Sequence, residues 1–302
     1  MEPAPQFMKK FEELLFSLAK ASEEDNADAA QRARLQVLAL CAEESLRNPE
    51  PIVLLQNEAG ELEDKGEWAA AEAAHRRALE LCMSSGHFGR IAHAQIHLAR
   101  LFGSAGRLRE SVEMAQVASA SARASEINVV IILALLAEGD CLFTAGHPEQ
   151  ALAVASEALQ RIGPEKMHAL TRAQAHISRA RALLACAEAR DAATELDAAE
   201  KWHRVQLGGE TLPGVMWSVA NWWEVKSDLA EEQGHLAEAL AAIKQTIERR
   251  RQFPRGRNRL LLARALEQLA SLAAADGDPA EKERALLEAS SIRRSLHLPA
   301  AP

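Results

Sequence analysis

Two histidines have the spacing of a metal site. His93 and His97 lie four residues apart in a segment with helical periodicity, which places both side chains on one side of a helix. A zinc site needs at least one further Cys, His or acidic ligand, and the sequence identifies none for this pair. The alternative is that His93 points toward an open face and His97 toward a neighbouring helix. We therefore expect neither a metal nor a cofactor.

Motifs of known catalytic sites are absent from the sequence. It contains no Walker loop, no GxGxxG, no GxSxG and no HExxH. Aspartates and glutamates are numerous, as on any solvated helix, and nothing marks one pair as a general acid and base. An active site assembled from distant segments stays open at this stage. The sequence nevertheless favours a protein that is not an enzyme.

One cluster of basic residues stands out. Two readings are open: cations that complement the dipole at a helix C-terminus, or a contact to a phosphate or an acidic partner. The cluster consists of Arg249, Arg250, Arg251, Arg255, Arg257 and Arg259. The whole chain is acidic, with 35 Lys and Arg against 43 Asp and Glu and a net charge of −8. This balance argues against general binding to nucleic acids or anionic membranes.

The composition predicts helices. Hydrophobic residues make up 48% of the chain, mostly Ala and Leu, whereas aromatic residues make up 4% and tyrosine is absent. Strands favour β-branched and aromatic residues, while Ala, Leu, Glu and Arg are helix formers. The chain is therefore predicted to be all-α.

Cysteine usage and hydropathy point to a cytoplasmic protein. The cysteines are far apart and form no CxxC pair, so we expect buried, reduced thiols; they are Cys41, Cys82, Cys141 and Cys186. The N-terminus lacks the apolar segment of a signal peptide. The longest apolar run, over 129–137, is much shorter than the roughly 20 residues of a membrane helix.

A repeat of about 40 to 47 residues runs through the chain. It is marked by a glycine between two helical patterns, because a tight turn between antiparallel helices needs a residue that tolerates a positive φ. In one unit an alanine takes this place. The turn residues are Gly66, Gly106, Gly146, Ala187, Gly234 and Gly277.

Three columns of small residues keep a fixed distance from these turns. Antiparallel helices that cross closely need small side chains at the contact. Seven residues before the turn stand Ala59, Ala99, Gly139, Ala180, Ser227 and Ala270. Five after it stand Ala71, Ser111, Ala151, Ala192, Ala239 and Lys282, and twelve after it stand Ala78, Ala118, Ala158, Ala199, Thr246 and Ala289. Lys282 departs from the pattern, as the solvated outer helix of a capping unit would.

The repeats divide the chain into two predicted regions. Residues 51–298 hold six helical hairpins, interrupted by loops at 206–214 and 252–258. Residues 1–48 form a further amphipathic hairpin, degenerate or capping, which the prolines after it separate from the first clear unit. In the last unit, Asp278 has the position of an N-cap before Pro279.

This pattern resembles the tetratricopeptide repeat, which combines a Gly turn, an aromatic or Leu just after it, and small residues in both helices. The resemblance implies tandem hairpins stacked into a right-handed superhelical solenoid. The usual period is about 34 residues. The longer period here is similar to that of the helical sensor domains of MalT-like bacterial regulators and of Rap-type peptide receptors. HEAT repeats share the period, but they lack the Gly turn and the three small columns.

The resemblance also implies where a partner would bind. In tetratricopeptide folds the first helix of each unit lines the concave face, at positions two, three, six, ten and thirteen residues before the turn. On this chain the implied positions carry apolar anchors mixed with amides and single charges, the chemistry of a peptide groove. They are His93, Ile96, Arg100, Leu133, Leu136, Asp140, Phe143, Gln174, Ile177, Arg181, Asn221, Glu224 and Asp228, with Trp217 one turn upstream of Asn221. The alternative is a featureless solvated concavity whose apolar residues belong partly to the core.

The tryptophans near residue 220 have different expected roles. Trp223 holds a core position, Trp222 is open, and Trp217 is the expected exposed anchor, since tryptophans often dominate binding energy. Two functions follow. The first is a non-catalytic scaffold or adaptor that holds a protein or peptide. The alternative is the ligand- or signal-peptide-sensing domain of a bacterial regulator, which gains weight if the chain is part of a longer protein.

Overall fold

The computed structural model describes residues 51–162, 169–206, 213–253 and 256–298, and five isolated positions between 10 and 36. Contacts divide the chain into two compact units, Met1–Leu54 and Leu55–Pro302. The hairpin predicted over 1–48 lies outside the described residues apart from those five positions. The described residues contain helices and turns and no strand. The predicted all-α architecture of tandem hairpins is confirmed.

Twelve helices follow one another in the described part of the chain. They are α1 (Pro51–Asp64), α2 (Trp68–Ser85), α3 (Phe88–Ser104), α4 (Leu108–Ala124), α5 (Asn128–Thr144), α6 (Pro148–Arg161), α7 (Ala169–Ala185), α8 (Ala189–Gln206), α9 (Pro213–Glu232), α10 (Leu236–Arg251), α11 (Arg257–Ala275) and α12 (Pro279–Ser295). Ten of the helices, α3 to α12, pair consecutively into five hairpins that pack on their neighbours in chain order. A sixth hairpin is formed by α1 and α2, which are joined by the turn at Gly66 and by a 3.0 Å contact between His75 and Glu63. None of these helices combines the length and apolarity that crossing a bilayer requires.

The turn inside each hairpin adopts a left-handed backbone conformation. The φ angles lie between 62° and 82° at the six predicted turn residues, Gly66, Gly106, Gly146, Ala187, Gly234 and Gly277. The sequence assignment of Ala187 to a glycine position is confirmed, because its φ is 62°. An L-residue is disfavoured there since its Cβ crowds the following carbonyl oxygen.

The small columns form the crossing points of the hairpins. Every member except Lys282 is buried, and Lys282 is exposed on the last helix, as predicted for a capping unit. The Ser111 hydroxyl on α4 donates to the carbonyl of Ala99 on α3, with an O···O distance of 2.8 Å. Ser227 on α9 makes the equivalent bond to the Ala239 carbonyl on α10, at 2.9 Å. The positions seven before and five after the turn therefore contact each other directly.

Apolar side chains fill the spaces beside these crossings. Leu98 and Leu135 are fully buried in successive first helices of the hairpins, and Leu266 is 1% exposed in the last one. Cys82 and Cys141 are buried as predicted, Cys186 is half-buried, and Cys41 lies outside the described residues. At the start of α12 the carboxylate of Asp278 accepts from the Glu281 N–H at 2.9 Å, which confirms the predicted N-cap.

The first and last of the six hairpins contact each other. We call this contact the seam: Asp64, Gly66 and Trp68 at the α1–α2 turn lie against Gly256, Arg259 and Leu296 of the last hairpin. The indole Nε1 of Trp68 donates to the Leu296 carbonyl at 2.9 Å.

Asp64 supplies the polar part of the seam. Its carboxylate accepts from the Gly256 N–H at the N-terminus of α11, where a helix favours negative charge, and its carbonyl accepts from Arg259. Helix α3 also contacts α11. The row of hairpins thus closes into a ring around the inner faces of the first helices.

Enlarging a crossing residue should be costly. We expect Ala99→Leu and Ala151→Leu each to destabilise the fold by about 1–3 kcal/mol, because an overpacked crossing forces the two backbones apart. Ala120→Leu on the exposed face of α4 is the matched control and should be near neutral. Urea denaturation measures all three, and equal midpoints for the column variants and the wild type would contradict the repeat register.

The turn at residue 187 should be improvable. Ala187→Gly should stabilise the protein by about 0.5–1 kcal/mol, because relief of a left-handed alanine outweighs the added freedom of glycine in the unfolded chain. Gly146→Ala should destabilise the protein by about 1 kcal/mol, because alanine is disfavoured at a positive φ. An added Cβ meets no atom within 4 Å there, so no steric clash contributes. Unfolding midpoints that move in the same direction for both variants would be inconsistent with this account.

Candidate ligand-binding cavity

A cavity of about 350 Å³ lies on the inner side of the ring. The first helices of five consecutive hairpins, α3, α5, α7, α9 and α11, contribute its walls. Helical spacing places several residues of one helix on the cavity side, as for Leu133, Leu136 and Asp140 on α5. The lining residues are Arg100, Leu133, Leu136, Asp140, Gln174, Ile177, Ser178, Arg181, Trp217, Asn221 and Arg257.

Nine of the fourteen residues predicted to contact a partner line this cavity. The structure brings together Arg100, Leu133, Leu136, Asp140, Gln174, Ile177, Arg181, Trp217 and Asn221. They come from four different hairpins, so the repeat register alone relates them. Their use in binding stays a prediction.

Three predicted residues at the edges do not line the cavity. His93 is exposed and lies edge-on to His97, with 4.8 Å between ring centroids, whereas Ile96 is 3% exposed and packs in the core. The Phe143 ring is covered by the guanidinium of Arg181, 5.5 Å from its centroid. Phe143 therefore supports a lining residue instead of lining the cavity itself.

The other two predicted residues, Glu224 and Asp228, are held by neighbours. Glu224 pairs with the fully buried Arg250 of the next helix. Although burial opposes ionisation, Arg250 holds the pKa of Glu224 below its usual value. Asp228 accepts from the Gln268 amide at 2.6 Å. Neither carboxylate is therefore available as a simple cation-binding group for a ligand.

Asn221 has a structural partner as well as a place in the cavity wall. Its amide oxygen accepts from the Arg250 guanidinium at 3.0 Å, and the side chain is only 7% exposed. Arg250 also donates to Asn258 at 3.0 Å. Replacing Asn221 would remove a partner from a buried cation, so this residue is a poor choice for testing binding alone.

The basic cluster is distributed over different roles. Arg250 is buried, Arg251 pairs with Glu288 at 2.6 Å, and Arg259 belongs to the seam. Arg257 alone among the described members lines the cavity, while Arg255 lies outside the described residues. The predicted placement at a helix C-terminus fits Arg249, Arg250 and Arg251 in the last turn of α10, whereas Arg259 lies in the first turn of α11. The position of Arg257 in the cavity wall agrees with the alternative, a contact to a ligand.

Two lining residues escaped the sequence analysis. Ser178 follows Ile177 on α7, and the assumed lining positions skip it. Arg257 is the first residue of α11, twenty residues before its turn, and it reaches the cavity because the ring closes. The basic cluster was the available signal for Arg257, but its spacing does not reveal which member turns inward.

The apolar part of the wall is continuous. Leu133 is 38% exposed, Trp217 is half-buried, and Leu136 and Ile177 expose only their edges. Trp222 is buried and donates from Nε1 to the Leu196 carbonyl at 3.0 Å, which settles its open role as core. Trp223 is half-buried against the same core cluster. The expected division between a cavity tryptophan and packing tryptophans is therefore observed.

Charges on the wall are unevenly balanced. Asp140 is the carboxylate of the wall, with Oδ1 3.9 Å from Arg181 and Oδ2 3.7 Å from Arg257, both longer than a hydrogen bond. Arg100 reaches the same wall from α3, and burial, followed by the nearby charge of Arg257, lowers its pKa. Three guanidinium groups thus surround one carboxylate.

A second cavity, of about 440 Å³, lies among α10, α11 and α12, and the charges on its wall are balanced. Its wall carries both signs of charge in matched pairs. Lys244 and Arg284 both pair with Glu281, at 3.8 and 2.7 Å, and Arg251 pairs with Glu288. The inner cavity is therefore the better candidate for a ligand.

The surroundings of the histidine pair offer no third metal ligand among the described residues. Within the described ranges, no group of three His, Cys, Asp or Glu side chains is arranged to hold a metal ion. Burial, with a smaller contribution from His93, lowers the pKa of His97 to about 3. The rings of His75 and His97 are stacked with 5.5 Å between centroids, and His75 contacts Glu63 at 3.0 Å. The pair packs within the first two hairpins.

Asp228 should make stability depend on pH. Burial, followed by the charge of Glu224, raises the pKa of Asp228 to about 6, above the ordinary value of about 3.9 in an unfolded chain. The folded state therefore binds this proton more tightly, and its contribution to stability is lost as pH rises through about 6. Asp228→Asn should stabilise the protein at pH 7.5 by on the order of 2 kcal/mol and leave it near wild type at pH 4. Denaturation at both pH values measures this difference, and Asp197→Asn, at an exposed position in the middle of α8, is the control and should show none.

Comparisons with known proteins agree on the fold. No protein-family model matches the sequence, and no curated protein matches it significantly. Among solved structures, a Rap protein complexed with Competence and Sporulation Factor superposes with a TM-score of 0.62 at 13% identity, over 95% of this chain and 76% of that one. The apo form of RapI gives 0.62 at 11% identity, over 95% and 99%. A tetratricopeptide repeat protein from Parabacteroides merdae gives 0.52 at 14% identity, over 96% and 98%.

These structural similarities agree with the repeat features observed in the chain itself. The left-handed turns, the small crossing residues and the stacked hairpins are those expected of one repeat class, and the solved structures of that class cover nearly the whole chain. The protein is therefore a helical-repeat solenoid with the tetratricopeptide-type fold.

Proposed function

We propose that this protein is a non-catalytic binding protein that holds a peptide segment in the cavity at the centre of the ring. The observation that carries the proposal is the wall of the cavity, where apolar side chains alternate with amide and guanidinium groups. Leu133, Leu136 and Trp217 offer apolar contact, while Gln174 and Arg181 offer hydrogen bonds. This combination suits an extended peptide, whose side chains need apolar contact and whose backbone needs hydrogen-bonding partners.

The size of the cavity limits the ligand. About 350 Å³ accommodates a few side chains, not a folded domain. A partner protein would therefore enter as a short segment. The seam closes the ring on one side, so a long continuous chain cannot be laid through the cavity without opening it.

The closed seam favours the second candidate function, a sensor domain that responds to a short ligand. A scaffold that displays an open groove has no need for contacts between its first and last hairpins. A sensor does, because a ligand can then change the equilibrium between closed and open rings. The Rap protein complexed with Competence and Sporulation Factor supports the same alternative by analogy of fold.

The cysteines and the net charge bear on the cellular location and on the class of partner. We propose a cytoplasmic protein, since the described Cys141 and Cys186 are free thiols and the net charge of the chain is negative. Nucleic acid is disfavoured as a partner, because the chain has a net charge of −8.

Variants of the cavity wall should test the binding proposal. Peptides selected by the protein from a displayed library of random heptapeptides would be titrated into purified variants by calorimetry. We expect Gln174→Ala and Arg181→Ala each to weaken binding at least tenfold, because each removes hydrogen bonds to the bound segment. Asn221 is left intact since it supports Arg250.

The matched control is Arg109→Ala on α4, whose side chain is 91% exposed and pairs only with its helix neighbour Glu113 in the described contacts. It should bind like the wild type, and all variants should keep the wild-type circular dichroism spectrum. Undiminished binding by both cavity variants would place the peptide on another surface. A change in radius of gyration on binding, measured by small-angle X-ray scattering, favours the sensor over the scaffold.

A further inference from the structure

The cavity wall contains more positive charge than its own carboxylate can balance. Arg100, Arg181 and Arg257 face one aspartate, Asp140, whose oxygens lie 3.9 Å from Arg181 and 3.7 Å from Arg257. Arg264, two turns further along α11, lines a small cleft together with Arg100 and Arg257, and Glu224 and Glu267 lie near enough to balance its charge. The wall therefore has an excess of positive charge inside a protein whose net charge is −8.

Arg100 shows the imbalance most directly. Its Nε atom is buried, and no atom of the described residues accepts a hydrogen bond from it. Burying a cation without a hydrogen-bond acceptor is unfavourable in free energy. A ligand that supplies an acceptor to Arg100 would therefore offset a large part of that penalty.

Two arginines outside the cavity are paired closely. Arg250, which is fully buried, contacts Glu224 and Asn221, and Arg293 forms a two-pronged contact with Glu267. The Nε atom of Arg250 is also without a partner, but its terminal nitrogens are bonded to Glu224, Asn221 and Asn258, whereas no carboxylate of the described residues is bonded to Arg100.

The unbalanced arginines lie on both sides of the closed ring. Arg100 belongs to α3, whereas Arg257 begins α11, which the seam brings against the second hairpin. Two guanidinium groups facing each other repel, so this pair opposes the closure that Asp64, Trp68 and their partners favour.

We propose that the cavity binds a compact oxyanion, a carboxylate or phosphate group, between Arg100, Arg181 and Arg257, and that this anion bridges α3 and α11 and so stabilises the closed ring. Guanidinium groups are suited to this role because their planar N–H donors match carboxylate and phosphate oxygens in pairs. The inference rests on the proposed use of the cavity for binding, and it adds the chemical class of the ligand and the movement coupled to it.

Two sources could supply the same oxyanion: a free small anion or an acidic side chain of a bound peptide. Calorimetry would separate them with inorganic phosphate at pH 7.5, against chloride at matched ionic strength, and with two capped tripeptides, one with a central glutamate and one with a central glutamine. Tight binding of the glutamate tripeptide over its glutamine counterpart identifies a peptide carboxylate. Binding of phosphate with no preference between the tripeptides identifies a free anion.

Charge-removing variants locate the site. Arg100→Gln and Arg257→Gln should each lower the affinity for the preferred anion at least tenfold. Arg109→Gln on the exposed face of α4 should leave that affinity unchanged. Without ligand, Arg257→Gln should melt at the same temperature as the wild type or higher, because a repulsion is removed. A clear fall in its melting temperature would show that Arg257 acts through Asp140 as a structural pair, and would overturn the inference.

A glycine pair tests the coupling to closure. A Cβ at Gly66 would lie 2.5 Å from the Leu296 backbone, whereas one at Gly146 meets nothing within 4 Å, and both glycines have a positive φ. Gly66→Ala should therefore open the seam and lower the affinity for the anion. Gly146→Ala carries the same backbone penalty and should bind the anion with the wild-type affinity. Scattering should show a smaller radius of gyration for wild type with anion than without it.

The outcomes separate this inference from the proposed function. Equal anion binding by wild type, Arg100→Gln and Arg257→Gln, or an affinity that is the same in the two glycine variants, overturns it. If the selected heptapeptides still bind and depend on Gln174, the proposed function stands while the anion bridge fails. If phosphate binds as expected and no peptide does, the anion bridge stands while the peptide proposal fails.

Discussion

The close crossing of the two helices within each hairpin is the constraint on which the rest of the structure depends. The backbones approach until a side chain on one helix meets a carbonyl on the other, as Ser111 does at Ala99 and Ser227 at Ala239. Such an approach is possible only with small residues at the contact. Because the same contact recurs at the same distance from each turn, successive first helices present equivalent faces to one side. The cavity is the sum of those faces.

The electrostatics of the inner side follow from this arrangement. Residues six before the turn project inward, and three hairpins place Arg100, Asp140 and Arg181 there. Solvent is restricted between them, so charges interact more strongly than on the outer surface. The outer pairs are screened and local, for example Arg109 with Glu113. A protein that is acidic overall can in this way keep a positively charged interior surface.

Sequence reasoning predicted whatever repeats and failed where the repeat is broken. The turn at Ala187 and the buried columns were predictable, since each position is fixed by distance along the chain and occurs six times. Eight lining residues followed from the same register, and Trp217 followed from its place one turn before Asn221. The partner of Glu224 was not predictable, because Arg250 lies 26 residues away on another helix and belongs to a run of similar arginines. The inward turn of Arg257 and the seam depend on how the five successive rotations between the six hairpins add up, and no local pattern encodes that sum.

The seam changes what kind of repeat protein this is. In an open solenoid each unit contacts only its neighbours, so units can be gained or lost at little structural cost during evolution. Here the indole of Trp68 is bonded to a carbonyl 228 residues away, at the far end of the array. An added or deleted hairpin would carry the last unit past its partner and leave Asp64 and Leu296 without their contacts. The number of repeats is therefore as much a part of this architecture as their sequence. A duplication that an open array tolerates would separate the first and last hairpins and open the ring.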